Sequence, residues 1–243
     1  MSLGISMRDY RSDFRTISGV DRKTILAMAE LYLAHYDGSS IERFETDLAS
    51  KTEVLLVYSG EELIGFTTLE LYEHHFAGQC INIVYSGDTI VHPAHWGQQT
   101  LAFAWISRIG QIKRATLDVP MYWFLIVKGH RTFKFLPAFA KSFYPHWEQD
   151  RSDLRPLLDQ LAKAKFGDKY NSQRGLVEYT TSHGHLKSQI AEPSPEELTQ
   201  PAVALFLKLN PRFREGHELC CLCEIKESNM RPLTLRLFRG SRT

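Results

Sequence analysis

The sequence lacks any excess of charge: 29 Lys and Arg stand against 28 Asp and Glu, a formal net charge of +1. A general nucleic-acid binder needs a basic footprint, so that class is excluded and only a local patch is left open. Long apolar runs are missing too. The longest, MYWFLIV (Met121 to Val127), is far too short to cross a bilayer, and the N-terminal MSLGISMRDYRSDFR lacks the apolar stretch of a secretory signal. Cysteine is scarce and bunched: Cys80 stands alone, and Cys220, Cys221 and Cys223 crowd together. That bunching is no disulfide framework, so it predicts a reducing compartment and a soluble, cytoplasmic protein that binds neither nucleic acid nor membrane. The sequence contains no internal repeat, no low-complexity segment, and no Gly-x-Ser-x-Gly, Gly-x-x-x-x-Gly-Lys or His-Glu-x-x-His.

What is there suffices for a core: 43% of the 243 residues are hydrophobic and 12% aromatic. Helical spacing of Ile25, Met28 and Leu31 behind Asp21 predicts a first helix, and Ile41, Phe44 and Leu48 behind Ser40 a second. A hairpin follows, Val54 to Tyr58 and Leu63 to Tyr72 around SGEE. The next strand, Cys80 to Val91, is interrupted at Ser86-Gly87, which predicts a bulge. Its end runs through TIVHPAHWGQQTLAFAWI into a helix reaching about Lys113, a strand-to-helix turn of the kind that offers backbone N–H groups to phosphate. MYWFLIV reads as a strand buried on both faces, and TFKFLPAFAKSFY as a helix kinked or begun by Pro137. The predicted order is α-α-β-β-β-α-β-α, an α/β domain over roughly residues 8–148. Beyond it, SDLRPLLDQLAKAKFG, PEELTQPAVALFLKLN and NMRPLTLRLFRG read as helices. HELCCLCEI reads as a late strand completing the sheet, and the basic tail RPLTLRLFRGSRT as a solvated helix face.

This order, with the bulge and the Val91-His92-Pro93 lead-in to the turn, resembles the GNAT acyltransferase superfamily over about residues 8–147. The resemblance implies a mixed central β-sheet flanked by helices, in which the fourth and fifth strands splay apart. A thioester's pantetheine lies in that gap, and its pyrophosphate sits on the turn's amides. The division implied is 1–148 as the acyl-donor-binding core and 149–243 as an extension that completes the sheet and shapes the acceptor side. The turn departs from the family motif: Trp96 stands where Gln or Arg is expected, and Gln99 and Leu101 replace the two glycines, crowding the approach of phosphate. Only Gly97 matches, at a position between the motif glycines. In the helix after the fifth strand, Phe139 takes the place of a proton-donating Tyr, and Tyr144 offers a displaced donor.

By that resemblance the chain moves an acyl group from acetyl-CoA or a longer acyl-CoA to an amine of a small molecule, without a metal. The donor falls to Val91, Trp96, Gly97, Gln98, Gln99, Thr100 and Leu101, with Asp88 or Tyr85 as base or relay and Tyr144 as acid. An acyl carrier protein is a variant donor, docking on Arg108, Lys113 and Arg114. The rival is a catalytically silent GNAT-like binding module.

Other residues keep two readings. Asp88 inside an apolar strand is functional, ion-paired or bulged outward. LELYEHH (Glu70, Glu73, His74, His75) is an acid/base site or a wet hairpin end, and His92 and His95 are phosphate contacts or ordinary loop residues. His217 with the cysteine cluster is a zinc site or, since alternation points Cys221 and Cys223 away from Cys220, a set of buried thiols. An apolar face on PAVALFLKLN would mark a homodimer surface.

Overall fold

The computed structural model describes residues 9–116, 118–181 and 183–240, so Met1 to Arg8 and Ser241 to Thr243 of the segments quoted above lie outside the described residues. In chain order the elements are β1 (Tyr10–Thr16), α1 (Arg22–His35), β2 (Tyr36–Asp37), α2 (Ile41–Leu48), β3 (Glu53–Ser59), β4 (Glu62–Phe76), β5 (Gln79–Val91), α3 (Thr100–Ala115) and β6 (Met121–Val127). Then come α4 (His130–Phe133), α5 (Phe135–Phe139), α6 (Arg155–Phe166), β7 (Tyr170–Asn171), β8 (Leu176–Val177), β9 (His185–Leu186), α7 (Ser188–Ala191), α8 (Pro195–Leu198), α9 (Pro201–Leu209), β10 (Glu218–Glu224) and α10 (Pro232–Arg239).

The expected caps start the first two helices: Asp21 accepts from the Thr24 N–H at 2.9 Å and Ser40 from the Arg43 N–H at 3.2 Å. The sheet runs β1-β3-β4-β5-β6-β10-β8-β7. All its pairings are antiparallel except β5 with β6. One face carries α3, α5, α9 and α10 over Leu55, Val84, Trp123 and Cys221; the other carries α1 and α2 over Val54 and Leu56, and α6 over Ile83, Phe124 and Cys220.

Three expectations are corrected. The first described element is a strand, since β1 pairs residue for residue with β3; its charged Arg11, Asp13 and Arg15 belong to a sheet edge. The expected single helix around Pro137 is two short ones, and the chain is extended from Ala140 on, where Tyr144 bridges to Leu222 of β10. PAVALFLKLN presents no free apolar face: Ala202, Val203 and Phe206 are buried and Leu205, Leu207 and Leu209 pack on the same core. HELCCLCEI does join the sheet, as β10 against β6. Cys220 and Cys221 lie on opposite faces, as alternation requires.

Candidate active site

The site begins with a register change. Thr67 of β4 faces Thr89 of β5, but Leu69 faces Ser86, so Gly87 and Asp88 together oppose Thr68 alone. That extra residue is the bulge expected at Ser86-Gly87, and it inverts alternation. Before it, Tyr85 faces α6 while Val84 faces the α3 side; after it, Ile90 faces α1 and α2 while Val91 packs on the α3 side. Asp88 thereby joins Tyr85 on one face of the sheet, and Thr89 turns to the other. Gly87 is required here: a Cβ would come within 2.4 Å of Thr68 Oγ1 and 2.7 Å of Lys51 Cε.

The same inversion swaps the strand's two edges. Asn82 donates to Pro120 at the start of β6, whereas His92, of the same parity, donates to Ile64 in β4. Parallel pairing ends at Ser86 with Leu125, and beyond it β5 and β6 diverge. The Val91 carbonyl projects into the opening, where Trp96 Nε1 donates to it at 2.8 Å and His35 Nε2 lies at 3.2 Å. Thr89, two residues earlier, presents its N–H to the same opening.

Two cavities flank this open edge. On the α3 side one of about 270 Å³ is lined by Val91, Trp96 to Gln99, Leu101 and Ala102, and by Gly129 to Thr132 from the end of β6. Its far wall is Leu186 and Ile190, from the chain's last third. On the α1–α2 side a second, of about 150 Å³, is lined by Tyr32, Asp47, Tyr85, Asp88, Lys128, Tyr179 and Glu218, among others. Thr89, Tyr36 and Thr132 line both, so the cavities adjoin at the divergence of β5 and β6.

On the turn, Gly97 sits at φ +91°, a conformation that favours glycine, and Gln99 leads into α3. The Thr100 N–H is already bonded to Gln98 Oε1 at 2.6 Å, and Thr100 is not on the cavity wall. The N–H groups of Gly97, Gln99, Leu101 and Ala102 have no partner among the described residues. Four backbone donors therefore remain at the start of a sixteen-residue helix, enough to receive an anion.

In the second cavity Lys128 and Glu218 are paired, as are Asp47 and its neighbour Lys51. Lys128 lies 3.2 Å from Glu218, whose other oxygen accepts from the Tyr179 hydroxyl at 2.9 Å. Buried Lys51 lies 2.8 Å from Asp47. Asp88 has no hydrogen bond or ion pair among the described residues. Burial, then the charge of Asp47, pushes its carboxyl up to about 7, against the pull of Lys128 and Lys51. It nonetheless keeps some exposed surface, because it faces the cavity rather than packed side chains. Burial, reinforced by nearby carboxylates, also raises the phenols of Tyr85 and Tyr36 well above their ordinary value, so both stay protonated.

The structure thus brings Asp88, Tyr85, Val91, Trp96, Gly97, Gln98, Gln99 and Leu101 to the cavity walls. Tyr144 lies on no cavity wall: its hydroxyl accepts from Arg155 at 2.6 Å. Glu70 pairs with Lys165, and His74 leaves Nε2 buried without a partner among the described residues. His95 lines the first cavity with Nδ1 3.1 Å from the Tyr10 hydroxyl, whereas His92 Nδ1 accepts from Ala94. Arg108 binds Glu53, Arg114 the Phe238 carbonyl and Lys113 the Val119 carbonyl, so the three cations of α3 have internal partners. Burial raises the cysteine thiols of β10, and no group of three metal-ligating side chains gathers among the described residues. Sequence reasoning missed Tyr36, Lys128 and Glu218; the available signal was a charge closing one apolar strand and another opening its partner.

A strand bulged at its end, a parallel neighbour diverging from it, and a turn into a helix with free amides are what the resemblance implies. The fold is GNAT-like. No family model matches the chain, and no curated protein matches it. Among solved structures, it is similar to a probable N-acyltransferase from Enterococcus faecalis V583, at 14% identity and TM-score 0.42, over 56% of this chain and 33% of that one. It is similar to a GCN5-related N-acetyltransferase from Kribbella flavida, at 12% identity and TM-score 0.38, over 56% and 34%. It is also similar to the GNAT family N-acetyltransferase YhbS from Escherichia coli, solved with CoA, at 14% identity and TM-score 0.38, over 54% and 69%. The chain spans about a third of the length of the first two of these proteins. No helix among the described residues is long and apolar enough to cross a membrane.

Proposed function

We propose that the protein is an acyltransferase that moves an acyl group from an acyl-CoA thioester to the amine of a small polar molecule. The observation that carries this reading is the meeting of two unlike cavities at Thr89, Tyr36 and Thr132, with the unpaired Asp88 on one side only. The α3-side cavity, with its free turn amides, suits the phosphate-bearing donor; the Asp88 side suits an amine. Its small volume points to an acceptor well below drug size.

In this mechanism Asp88 accepts a proton from the acceptor's ammonium, and the freed nitrogen attacks the thioester carbon. The Thr89 N–H receives the charge that develops on the carbonyl oxygen. As the new C–N bond forms and the C–S bond breaks, the Tyr36 hydroxyl gives its proton to the departing thiolate, and the second proton shed by the new amide nitrogen restores the phenol. Tyr85, held protonated, orients the acceptor and is no base.

A second reading, a binding module without turnover, is favoured by Gln98 capping the Thr100 N–H and by Trp96 and His35 occupying the Val91 carbonyl. Free-thiol release from acetyl-CoA and a long-chain acyl-CoA, measured with a panel of small primary amines, separates the two. Acyl transfer predicts release that saturates in both substrates and is lost in Asp88→Asn. Acyl-CoA binding without amine-dependent release would leave the silent module standing.

A further inference from the structure

Three departures from the GNAT pattern meet in one place. Gln99 and Leu101, at the motif glycines, and Phe139, at the tyrosine, all line a third cavity of about 110 Å³. It lies beneath α3, between that helix, α5 and the sheet, and reaches Leu233 and Thr234 of α10. The resemblance explains the turn and the gap between β5 and β6, but not this space.

No charged side chain lines it among the described residues. Aromatic rings form much of its wall: the Trp105 and Trp123 centroids are 4.5 Å apart, and that of Phe139 lies 5.5 Å from the first and 5.4 Å from the second. The hydroxyls on the wall are already bonded within the protein. Ser86 Oγ accepts from Trp123 Nε1 at 2.8 Å, Thr67 Oγ1 meets Thr89 Oγ1 at 2.8 Å, and Thr234 donates to the Ala138 carbonyl at 3.3 Å. A ligand here leaves water and gains close packing, and no hydroxyl is left to bind it.

Position points to the occupant. Among the described residues Thr89 alone lines all three cavities, and its N–H is the group assigned to the thioester oxygen. A carbon undergoing acyl transfer carries four groups: oxygen, sulfur, the incoming nitrogen and the acyl tail. The oxygen has the Thr89 N–H, the sulfur the α3-side cavity, and the nitrogen the Asp88 side. We propose that the third cavity holds the fourth group, the acyl tail, and selects a short-chain acyl thioester over acetyl. An apolar cavity of about 150 Å³ takes the six carbons of benzene, so this one takes about four carbons beyond the carbonyl. The identity of the occupant rests on the acyl-CoA reading; the apolar character of the pocket does not.

Titration calorimetry with acetyl-, butanoyl-, pentanoyl- and octanoyl-CoA, without amine, reads the pocket apart from turnover. Each buried methylene should tighten binding about three- to fourfold from acetyl to pentanoyl, with no further gain at octanoyl. Ala138→Phe, which fills the space from α5, should flatten the series. Ile106→Ala, which enlarges it from α3, should carry the gain on to octanoyl. Each series is compared within one protein, so a partly unfolded variant cannot imitate either result. Equal binding across the parent series, a gain that continues to octanoyl, a series unchanged in Ala138→Phe, or no binding at all would each overturn the pocket. Thiol release with the amine panel separates it from the acyl-transfer reading. Graded binding without amine-dependent release keeps the pocket and sinks the transfer; release with ungraded binding does the reverse.

Discussion

The two cavities beside β5 share a border of three residues and little else. The α3 side is walled by backbone, apolar side chains and a turn that offers unpaired amides. The α1–α2 side is walled by tyrosines and carboxylates; Glu218 and Asp47 have lysine partners and Asp88 has none among the described residues. One strand makes both environments, because a single bulged residue inverts its alternation, keeping Asp88 on the face of Tyr85 while Thr89 turns to the other. A site can therefore hold a phosphate-bearing reactant and an amine within reach of each other while keeping their fields apart.

The sharpest way to break this contrast is at Asp88. Asp88→Asn should lower turnover by ~10²–10⁴-fold, the usual share of a general base, with donor affinity unchanged. The wild-type rate should rise as pH passes about 7, where the raised carboxyl ionises. Stability should run the other way. A carboxyl whose folded value lies above its unfolded one stabilises the fold below about pH 4 and loses that contribution as pH rises through about 7. Wild-type melting temperature should therefore fall across that window relative to Asp88→Asn; parallel melting curves would show the carboxyl to be unstrained.

Tyr36→Phe acts at the border itself. Loss of the proton donor should cost about 10²-fold in turnover, with binding of either substrate preserved, and the loss should shrink for thioesters with more acidic thiols. A uniform loss across leaving groups would remove Tyr36 from the chemistry. Gly87→Ala attacks the bulge: the added Cβ must displace Thr68 and Lys51, costing about 1–3 kcal/mol and several degrees of melting temperature. An unchanged melting temperature would mean that the bulge tolerates a side chain. Gln98→Ala is the mildest, removing the bond to the Thr100 N–H at a cost of ~1 kcal/mol and clearing a side chain from the cavity wall. Weaker pyrophosphate binding in that variant would mean that the turn does not face the anion.

Much of this frame was legible in the sequence. Asp21 and Ser40 announced their helices, the glycine in β5 announced the bulge, and His-Pro with Gly97 announced the turn. These signals are local. The edge strand β1 was not legible because only Tyr10 and Phe14 of its inward positions are apolar, while Arg11, Asp13 and Arg15 take the other face, as suits a strand with one partner. The broken helix after β6 was hidden because Phe133, Leu136, Phe139 and Phe143 keep a helical apolar rhythm through Ala140, while the backbone there turns to pair with β10. The wall of the second cavity was hidden for a different reason. Lys128 meets Glu218 only because β6 and β10 pair antiparallel, Val127 opposite Leu219, and no spacing in the chain encodes that meeting.

That same pairing has a consequence for how the protein is made. On a ribosome, β6 emerges about 90 residues before β10, which at ~5–20 residues per second leaves it waiting some 5–20 s. Throughout that interval MYWFLIV has one edge of its backbone open in a nascent chain. The most apolar strand of the sheet is thus also the one whose shelter is synthesised last, and its exposure is a property of translation order rather than of the finished fold.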